Sequence, residues 1–216
     1  YGKTSPNYIS FDYARGSSYK PNPNSITGKS VTLTIPLSPV ARGLTVTSAM
    51  VDGTVGSNSN EYGMGVRGVA LDSTYLFNPL AAPGDNIEVE KYTFDSYNAH
   101  PEASGAYHYH TSSAGPLEVL KAKGLVTSSK PGAAEIELYG ILCDGTVVMG
   151  CKELNGATPD ASDLDAQNGH VHDLIDKSGA VQLSARYHTH VCASALGTHT
   201  YTYTPEIQYY STCNIQ

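Results

Sequence analysis

Apolar and polar residues alternate in short runs along this chain, and alternation with a period of two indicates β-strands. Val31, Leu33 and Ile35 alternate with threonine until a proline ends the run. Similar runs, bounded by turn residues, predict further strands at residues 44–51, 66–71, 75–77, 87–94, 106–111, 134–143, 146–149, 181–191 and 198–204. Asp144-Gly145 predicts a tight turn that joins two of these strands as a hairpin.

Helical signals are few in this sequence. The best candidate is the segment 116–123, which Pro116 opens and Gly124 closes. Residues 1–30 are polar and predict an irregular arm, either lying on the domain or forming a flexible leader. No linker divides the remainder, so we expect one domain over residues 31–216. Its expected fold is all-β, or β with one or two short helices, built as an antiparallel sandwich or a barrel-like structure. Polar stretches predict loops at residues 52–64 and 153–170.

Three sequence blocks occur twice in the same order, which predicts an internal duplication. The first copies are Gly68–Thr74, Asp95–His100 and Tyr107–His110, and the second copies are Gly140–Thr146, Asp165–His170 and Tyr187–His190. Equivalent residues are 72, 70 and 80 positions apart, and the differences fall in expected loops, where insertions cost little. The two copies therefore cover residues 62–111 and 134–191. A pseudo-twofold axis between them is expected to bring equivalent strands, and the histidine pairs on them, close together.

The charge of the chain narrows the choice of partners. Of the 216 residues, 15% are charged, the formal net charge is −7, and no basic run is present. Nucleic acid is therefore not an expected partner, whereas a cation is. No apolar run reaches the length of about 18 to 20 residues that a membrane span needs.

The cysteines and the first residue predict a secreted protein. All four cysteines lie in the second half, and an even number is typical of disulfide-bonded extracellular proteins. The most local pairing joins Cys143 to Cys151 and Cys192 to Cys213, although the predicted hairpin turn does not place Cys151 opposite Cys143. The chain begins at Tyr1 rather than at a methionine, from which we expect that an upstream segment was removed.

Histidine carries the clearest candidate chemistry. Alternate side chains of a strand point to opposite faces, so His108 and His110 are expected to share one face, with Tyr107 and Tyr109 on the other. Neutral imidazole is the commonest protein metal ligand, and three imidazoles in each copy would leave an ion an open position. Six of the eight histidines occupy equivalent positions in the two copies and are the predicted metal ligands: His100, His108, His110, His170, His188 and His190.

The donor set favours copper, because imidazole without thiolate suits Cu(II), zinc, nickel or iron and Cu(II) has the highest affinity of these. Zinc is the alternative. Three arrangements are open at this point. The six histidines can hold a pair of coppers for oxygen chemistry, each triad can hold its own ion, or the two His-x-His pairs can close around a single ion.

Asp95 and Asp165 precede the first histidine of each copy and are candidates for supporting the ligands. A carboxylate that accepts the far N–H of a ligating imidazole fixes its tautomer and raises its basicity. The same carboxylates can equally shape the Asp-x-x-Asn loop as Asx-turns, and Asn98 and Asn168 are better explained as loop-shaping residues than as catalytic ones.

The motifs resemble those of a known family, the YHYH-domain proteins. The residues that carry the resemblance are Asp95–Pro101 with Gly105–His110, and Leu164–His170 with Tyr187–His190, within residues 62–192. The members of this family look like secreted or envelope proteins, so the resemblance implies a location outside the cytoplasm but no particular reaction. This chain departs from the pattern at Thr189, where a second tyrosine is usual, and at Ala99, where glycine is usual.

These observations predict a secreted, histidine-rich metal-binding protein. A copper ion with an open position would bind oxygen or peroxide and make the protein a metal-dependent oxidoreductase, with a small molecule as a further candidate substrate. A zinc ion would lower the pKa of a bound water to about 7 and make it a hydrolase. A binding or storage protein without catalysis is another candidate, and a structural surface protein with the histidines as scaffolding is the last.

Overall fold

The computed structural model describes residues 17–37, 40, 65–77, 81, 87–165, 167–192 and 214–215. The strands are β1 (Leu33–Thr34), β2 (Val66–Ala70), β3 (Tyr75–Phe77), β4 (Ala99–Pro101), β5 (Tyr107–Tyr109), β6 (Leu138–Leu142), β7 (Val147–Met149), β8 (Gly169–Ile175), β9 (Val181–His190) and β10 (Asn214–Ile215). The helices are α1 (Ile87–Glu90) and α2 (Ala114–Ala122), and 3-10 turns cover Lys91–Thr93 and Ala161–Asp163.

Eight of these strands form one open sheet in the order β4-β5-β3-β2-β6-β7-β9-β8, while β1 pairs separately with β10. The pairs β3–β5 and β7–β9 are parallel, and the other pairs are antiparallel. The prediction of a mostly β fold with short helices is confirmed. The sheet is mixed and open, where the sequence suggested an antiparallel sandwich or barrel.

The two halves of the sheet have the same strand order when counted outward from the central β2–β6 pair. This centre is symmetric about Val69, which lies opposite Ile141. The outer strands of the two halves also pair in equivalent registers, related by the offsets of the repeated sequence blocks. The matching outermost pairs are His100 with His108 and His170 with His188. The internal duplication stays a prediction, and the matching strand order and registers are consistent with it.

Glycine permits the close central contact between the halves. A Cβ atom at Gly68 would collide with the carbonyl oxygen of Ile141, and one at Gly140 would collide with that of Val69. Any side chain at either position would therefore push β2 and β6 apart.

One face of the sheet packs against helix α2 to form the main core. Leu117 and Leu120 of the helix lie among buried side chains of the sheet that include Leu76, Tyr109 and Val148. Ser113 caps the helix by accepting a hydrogen bond from a first-turn backbone N–H. The prediction of a helix closed by a glycine is confirmed, although the helix begins two residues before the predicted opening proline.

The segment 87–94 was predicted to be a strand, and that prediction is wrong. It forms α1 followed by a 3-10 turn. Ile87 and Phe94 are both buried, whereas Val89 between them is 67% exposed. Two buried residues seven positions apart match two turns of helix, so the helical period decided the structure. Strands β4 and β8 were not predicted. The predicted strands at 44–51 and 198–204, and the loop at 52–64, lie outside the described residues.

The predicted pairings of Cys143 with Cys151 and of Cys192 with Cys213 are both wrong, because Cys151 forms a disulfide with Cys192 and their Cα atoms are 4.7 Å apart. The parallel register explains this pairing. Met149 of β7 lies opposite His190 of β9, so residues two positions farther along each chain also meet. Cys143 is disulfide-bonded as well, and the remaining cysteine lies outside the described residues.

No helix in the described parts of the chain is long and apolar enough to cross a membrane. The division into an arm at 1–30 and a domain at 31–216 stays a prediction. Residues 17–30 contain no helix or strand. They contact the connection between β4 and β5, where the backbone N–H of Thr27 donates to the carbonyl of Gly105.

Candidate metal centres

A tight turn delivers the first histidine of each cluster into its strand. In the first half, Asp95 Oδ1 accepts the backbone N–H groups of Tyr97 and Ala99 at 2.8 and 3.3 Å. Asn98 completes the turn in the left-handed conformation, with φ of 59°, which asparagine tolerates better than most residues. The second half repeats this turn, with Asn168 at φ of 56°. The turn then leads directly into β4 or β8, where His100 or His170 lies.

Tyrosine hydroxyls tie these turns to the neighbouring strands. Tyr107 of β5 donates to Asp95 Oδ2 at 2.6 Å, and Tyr187 of β9 donates to Asp165 Oδ2 at 2.8 Å. The adjacent Tyr109 donates to Asp72 Oδ2 at 2.6 Å. These tyrosines alternate with the histidines of the motif, so the hydroxyl groups hold the fold on one face while the imidazoles occupy the other.

The first cluster, called site 1 below, consists of His100, His108 and His110. One ring nitrogen from each lies within 4.8 Å of the others. His108 Nε2 and His110 Nε2 are 2.9 Å apart, and all three residues are 2% exposed. Phe77 stacks on the His108 ring at 3.8 Å between centroids, and Phe94 stacks on His110 at 5.7 Å. Site 1 is therefore a dry, aromatic-walled group of three imidazoles.

Hydrogen bonds set the tautomer of one ring in site 1 and the position of another. His108 Nδ1 lies 2.9 Å from the carbonyl oxygen of Ala106, which can only accept, so the proton is on Nδ1. The His108 ring thus presents an unprotonated Nε2 to the cluster. His100 Nδ1 lies 2.8 Å from Thr93 Oγ1 and 3.2 Å from Asn22 Nδ2, and the Thr93 hydroxyl donates to the carbonyl of Glu90. These two contacts hold the His100 ring in position.

The pKa values favour the neutral rings that metal binding requires. Burial, followed by the charge of His110, lowers the pKa of His100 to about 3. Burial and the charge of His100 lower the pKa of His108 to about 3 as well. Imidazole must be deprotonated at the ligating nitrogen, so these rings are ready to bind at neutral pH without losing a proton.

The second cluster, called site 2 below, adds a carboxylate to three histidines. It consists of Glu153, His170, His188 and His190, whose ligand atoms lie within 4.8 Å of one another. Glu153 Oε1 lies 3.1, 3.3 and 3.0 Å from the Nε2 atoms of His170, His188 and His190. The side chains of His188 and His190 are fully buried, while that of His170 is 13% exposed.

Three acceptor atoms converge in site 2. His188 Nδ1 donates to the carbonyl of Arg186 at 3.0 Å, and His190 Nδ1 donates to the carbonyl of Gly150 at 2.8 Å. Their Nε2 lone pairs therefore face the negative Glu153 Oε1. Such an arrangement is repulsive unless a cation or a proton lies between the atoms. Burial, and then the charges of His188 and His190, lower the pKa of His170 to about 4, which disfavours the charged, doubly protonated form of that ring.

The spacing of the donor atoms fits a transition-metal ion. Two nitrogens bound to one ion at about 2.0–2.1 Å, at an angle of about 90–110°, lie about 2.9–3.4 Å apart. The closest pairs, His108–His110 at 2.9 Å and His170–His190 at 3.2 Å, fall in this range. His100 Nε2 and Glu153 Oε2 are buried and have no hydrogen-bond partner among the described residues. The donor sets are therefore geometrically able to hold an ion.

The six predicted ligands do not form a single cluster, and the expectation that the two His-x-His pairs lie close together is wrong. Four strands separate β5 from β9, which is about 24 Å across a flat sheet. The symmetry axis passes between β2 and β6, so equivalent outer strands lie at opposite ends of the sheet. Of the three arrangements left open by the sequence, only the one with a separate triad in each half matches this geometry.

The supporting residues differ from those that the sequence suggested. Asp95 and Asp165 shape the turns and accept tyrosine hydroxyls, and their action on an imidazole nitrogen stays a prediction. Backbone carbonyls fill that position for His108, His188 and His190. Glu153 was missed, because nothing in its local sequence marks it. Its signal is the disulfide pairing, since Glu153 follows one bonded cysteine by two residues and His190 precedes the other by two.

A model of the family described as YHYH protein matches residues 32–167 of the chain, which is more than half of it. The matched range contains all of site 1 and also Glu153, and it ends before the histidines of site 2. No curated protein and no solved structure matches the chain.

Proposed function

This chain belongs to the YHYH protein family, and from the geometry of its histidines we propose that it is a secreted metal-binding protein that holds one ion at each of two sites. The observation that carries the proposal is the convergence of acceptors in site 2. Two Nε2 atoms whose rings have placed their protons on Nδ1 lie 3.3 and 3.0 Å from a buried carboxylate oxygen. A bound cation removes the repulsion among these atoms.

Copper is the preferred metal of the proposal. Three imidazoles without thiolate suit a late first-row ion, and Cu(II) has the highest affinity for such donors. The disulfide between Cys151 and Cys192 supports the proposed location, because disulfides persist in oxidising compartments and are rare in the cytosol.

Catalysis is the second candidate function, and the exposure of His170 favours it at site 2 alone. Its side chain is 13% exposed, whereas the three residues of site 1 are sealed from solvent. Copper at site 2 would bind dioxygen or peroxide in an oxidoreductase. Zinc, which also suits a histidine and carboxylate donor set, would activate water in a hydrolase.

Elemental analysis tests the binding proposal. Protein purified without added metal, then loaded with Cu(II) and desalted, should carry two ions per chain. His108→Ala should remove the ion of site 1, His188→Ala should remove that of site 2, and the double variant should carry none. Wild-type protein that retains no stoichiometric metal, with either Cu(II) or Zn(II), would refute the proposal.

A further inference from the structure

His172 breaks the equivalence of the two halves. It lies on β8 two residues after His170, so the two imidazoles share a face of the sheet. The 70-residue offset that relates His170 to His100 places Glu102 at the corresponding position of the first half. Site 2 therefore has a fourth histidine beside its cluster, at a position where the first half has a glutamate.

The His172 ring is directed at the cluster. Its Nε2 lies 3.3 Å from Glu153 Oε1, and its ring centroid lies 4.5 Å from that of His170 and 4.6 Å from that of His188. Its Nδ1 donates to the carbonyl of Asp173 at 2.8 Å, so Nε2 carries the lone pair, as in His188 and His190. Hydrogen bonding has prepared this imidazole in the same tautomer as those two buried ligands.

Exposure distinguishes His172 from those ligands. Its side chain is 40% exposed, compared with 13% for His170 and none for His188 and His190. His172 is therefore the ring through which the cluster meets solvent.

We propose that His172 is the entry ligand of site 2, which captures a divalent transition-metal ion from solvent and passes it to the buried rings. The proposal rests on the metal-binding function proposed for that site. An incoming ion first binds His172 together with Glu153 and His170. It then exchanges His172 for His188 and His190 while Glu153 and His170 stay bound.

The position of Glu153 makes this exchange possible. Its Oε1 atom lies within 3.3 Å of all four Nε2 atoms, so one oxygen can hold the ion along the whole path. The ion thus never has to give up its water ligands before protein donors replace them, which is the costly part of entering a buried site. Among the described residues, the donor group of site 1 is three histidines without a carboxylate, and Glu90 Oε1 lies 3.7 Å from His100 Nε2. Exchange of an ion at site 1 should accordingly be slow.

Stopped-flow measurement of Cu(II) loading, and of its removal by excess EDTA, tests the entry role. Both are measured in a His108→Ala background, in which site 2 is the remaining cluster. Adding His172→Ala should slow loading and removal by about tenfold or more, while one ion per chain still binds at equilibrium. The control is Val171→Ala, an exposed neighbour on the same strand whose side chain points to the other face. It should leave both rates unchanged.

Chemical rescue separates a ligand role from a structural one. Imidazole added to a His172→Gly variant should restore fast loading, which repair of a distorted strand would not do. The entry role is overturned if His172→Ala loads and releases as fast as the control. It is also overturned if His172→Ala no longer binds a stoichiometric ion, because His172 is then a permanent ligand. A parent protein that binds no Cu(II) would instead refute the proposed function itself.

Discussion

Replacing Thr93 by valine should weaken metal binding at site 1 without touching a ligand. The hydroxyl of Thr93 lies 2.8 Å from His100 Nδ1, accepts a hydrogen bond from Asn22 Nδ2 at 3.2 Å, and donates to the carbonyl of Glu90 at 2.9 Å. Valine has nearly the same shape but none of these bonds. The His100 ring then loses the shorter of two contacts that orient it, the other being Asn22 Nδ2 at 3.2 Å from Nδ1.

The expected loss of affinity follows from that contact. Removing the outer hydrogen-bond partner of a metal-binding imidazole typically lowers metal affinity by about 10- to 100-fold. This loss corresponds to about 1.4–2.7 kcal/mol of binding free energy. The free protein should also lose about 1–3 kcal/mol of unfolding free energy, because the hydrogen bonds of a buried hydroxyl are removed.

Competition with a chelator of known Cu(II) affinity measures the effect. The variant is made in a His188→Ala background, so that site 1 is the remaining cluster, and urea unfolding reports stability in parallel. Thr93→Ser is the matched control, since it keeps the hydroxyl and should bind within about twofold of its parent. If Thr93→Val binds Cu(II) as tightly as Thr93→Ser, the Thr93 hydroxyl does not orient a metal ligand and the reasoning is refuted.

Three further outcomes are expected. Reducing the Cys151–Cys192 disulfide, or replacing both residues by serine, should lower Cu(II) affinity at site 2 and leave site 1 unchanged in the same competition assay, because the bridge holds the segment of Glu153 beside the end of β9, where His190 lies. Burial raises the pKa of Asp144 to about 6, above its usual 3.8, so the folded state holds this proton more tightly than the unfolded state and its ionisation costs stability. This cost is absent below about pH 4 and grows to about 3 kcal/mol above pH 6. In urea unfolding, the free energy of unfolding of Asp144→Asn should therefore rise relative to that of wild type by about 3 kcal/mol as the pH increases from 4 to above 6. Tyr107→Phe should cost about 1–3 kcal/mol of unfolding free energy by removing the bond to Asp95, with the Cu(II) stoichiometry unchanged because the hydroxyl lies on the other face. An unchanged affinity at site 2 after reduction, a pH-independent difference for Asp144→Asn, or metal loss in Tyr107→Phe would each contradict the respective reasoning.

Short-range features of the site could be predicted from the sequence. Strand alternation alone places His108 and His110 on one face, and in the structure their Nε2 atoms meet at 2.9 Å. The Asp-x-x-Asn pattern predicts a turn, because both side chains favour its local geometry, and the turn is present in each half. These features depend on neighbours within a few residues, for which spacing is sufficient evidence.

Long-range arrangement could not be predicted in the same way. Repetition of the motifs indicates equivalent halves, but it does not say where the symmetry axis lies, and the axis decides whether the histidine pairs meet. Glu153 joins site 2 through the parallel pairing of β7 with β9, which has no local signal. The segment beginning at Ile87 alternates like a strand over a few residues, and only its buried Phe94 reveals the helical period.

Anomalous diffraction from copper-loaded crystals tests the central claim most directly. Data collected at the copper absorption edge should show two peaks per chain, at opposite ends of the sheet. One peak should lie about 2.0–2.1 Å from the Nε2 atoms of His100, His108 and His110, and the other at the same distance from those of His170, His188 and His190 and close to Glu153. A single peak, or peaks at other residues, would contradict the account of two histidine metal centres.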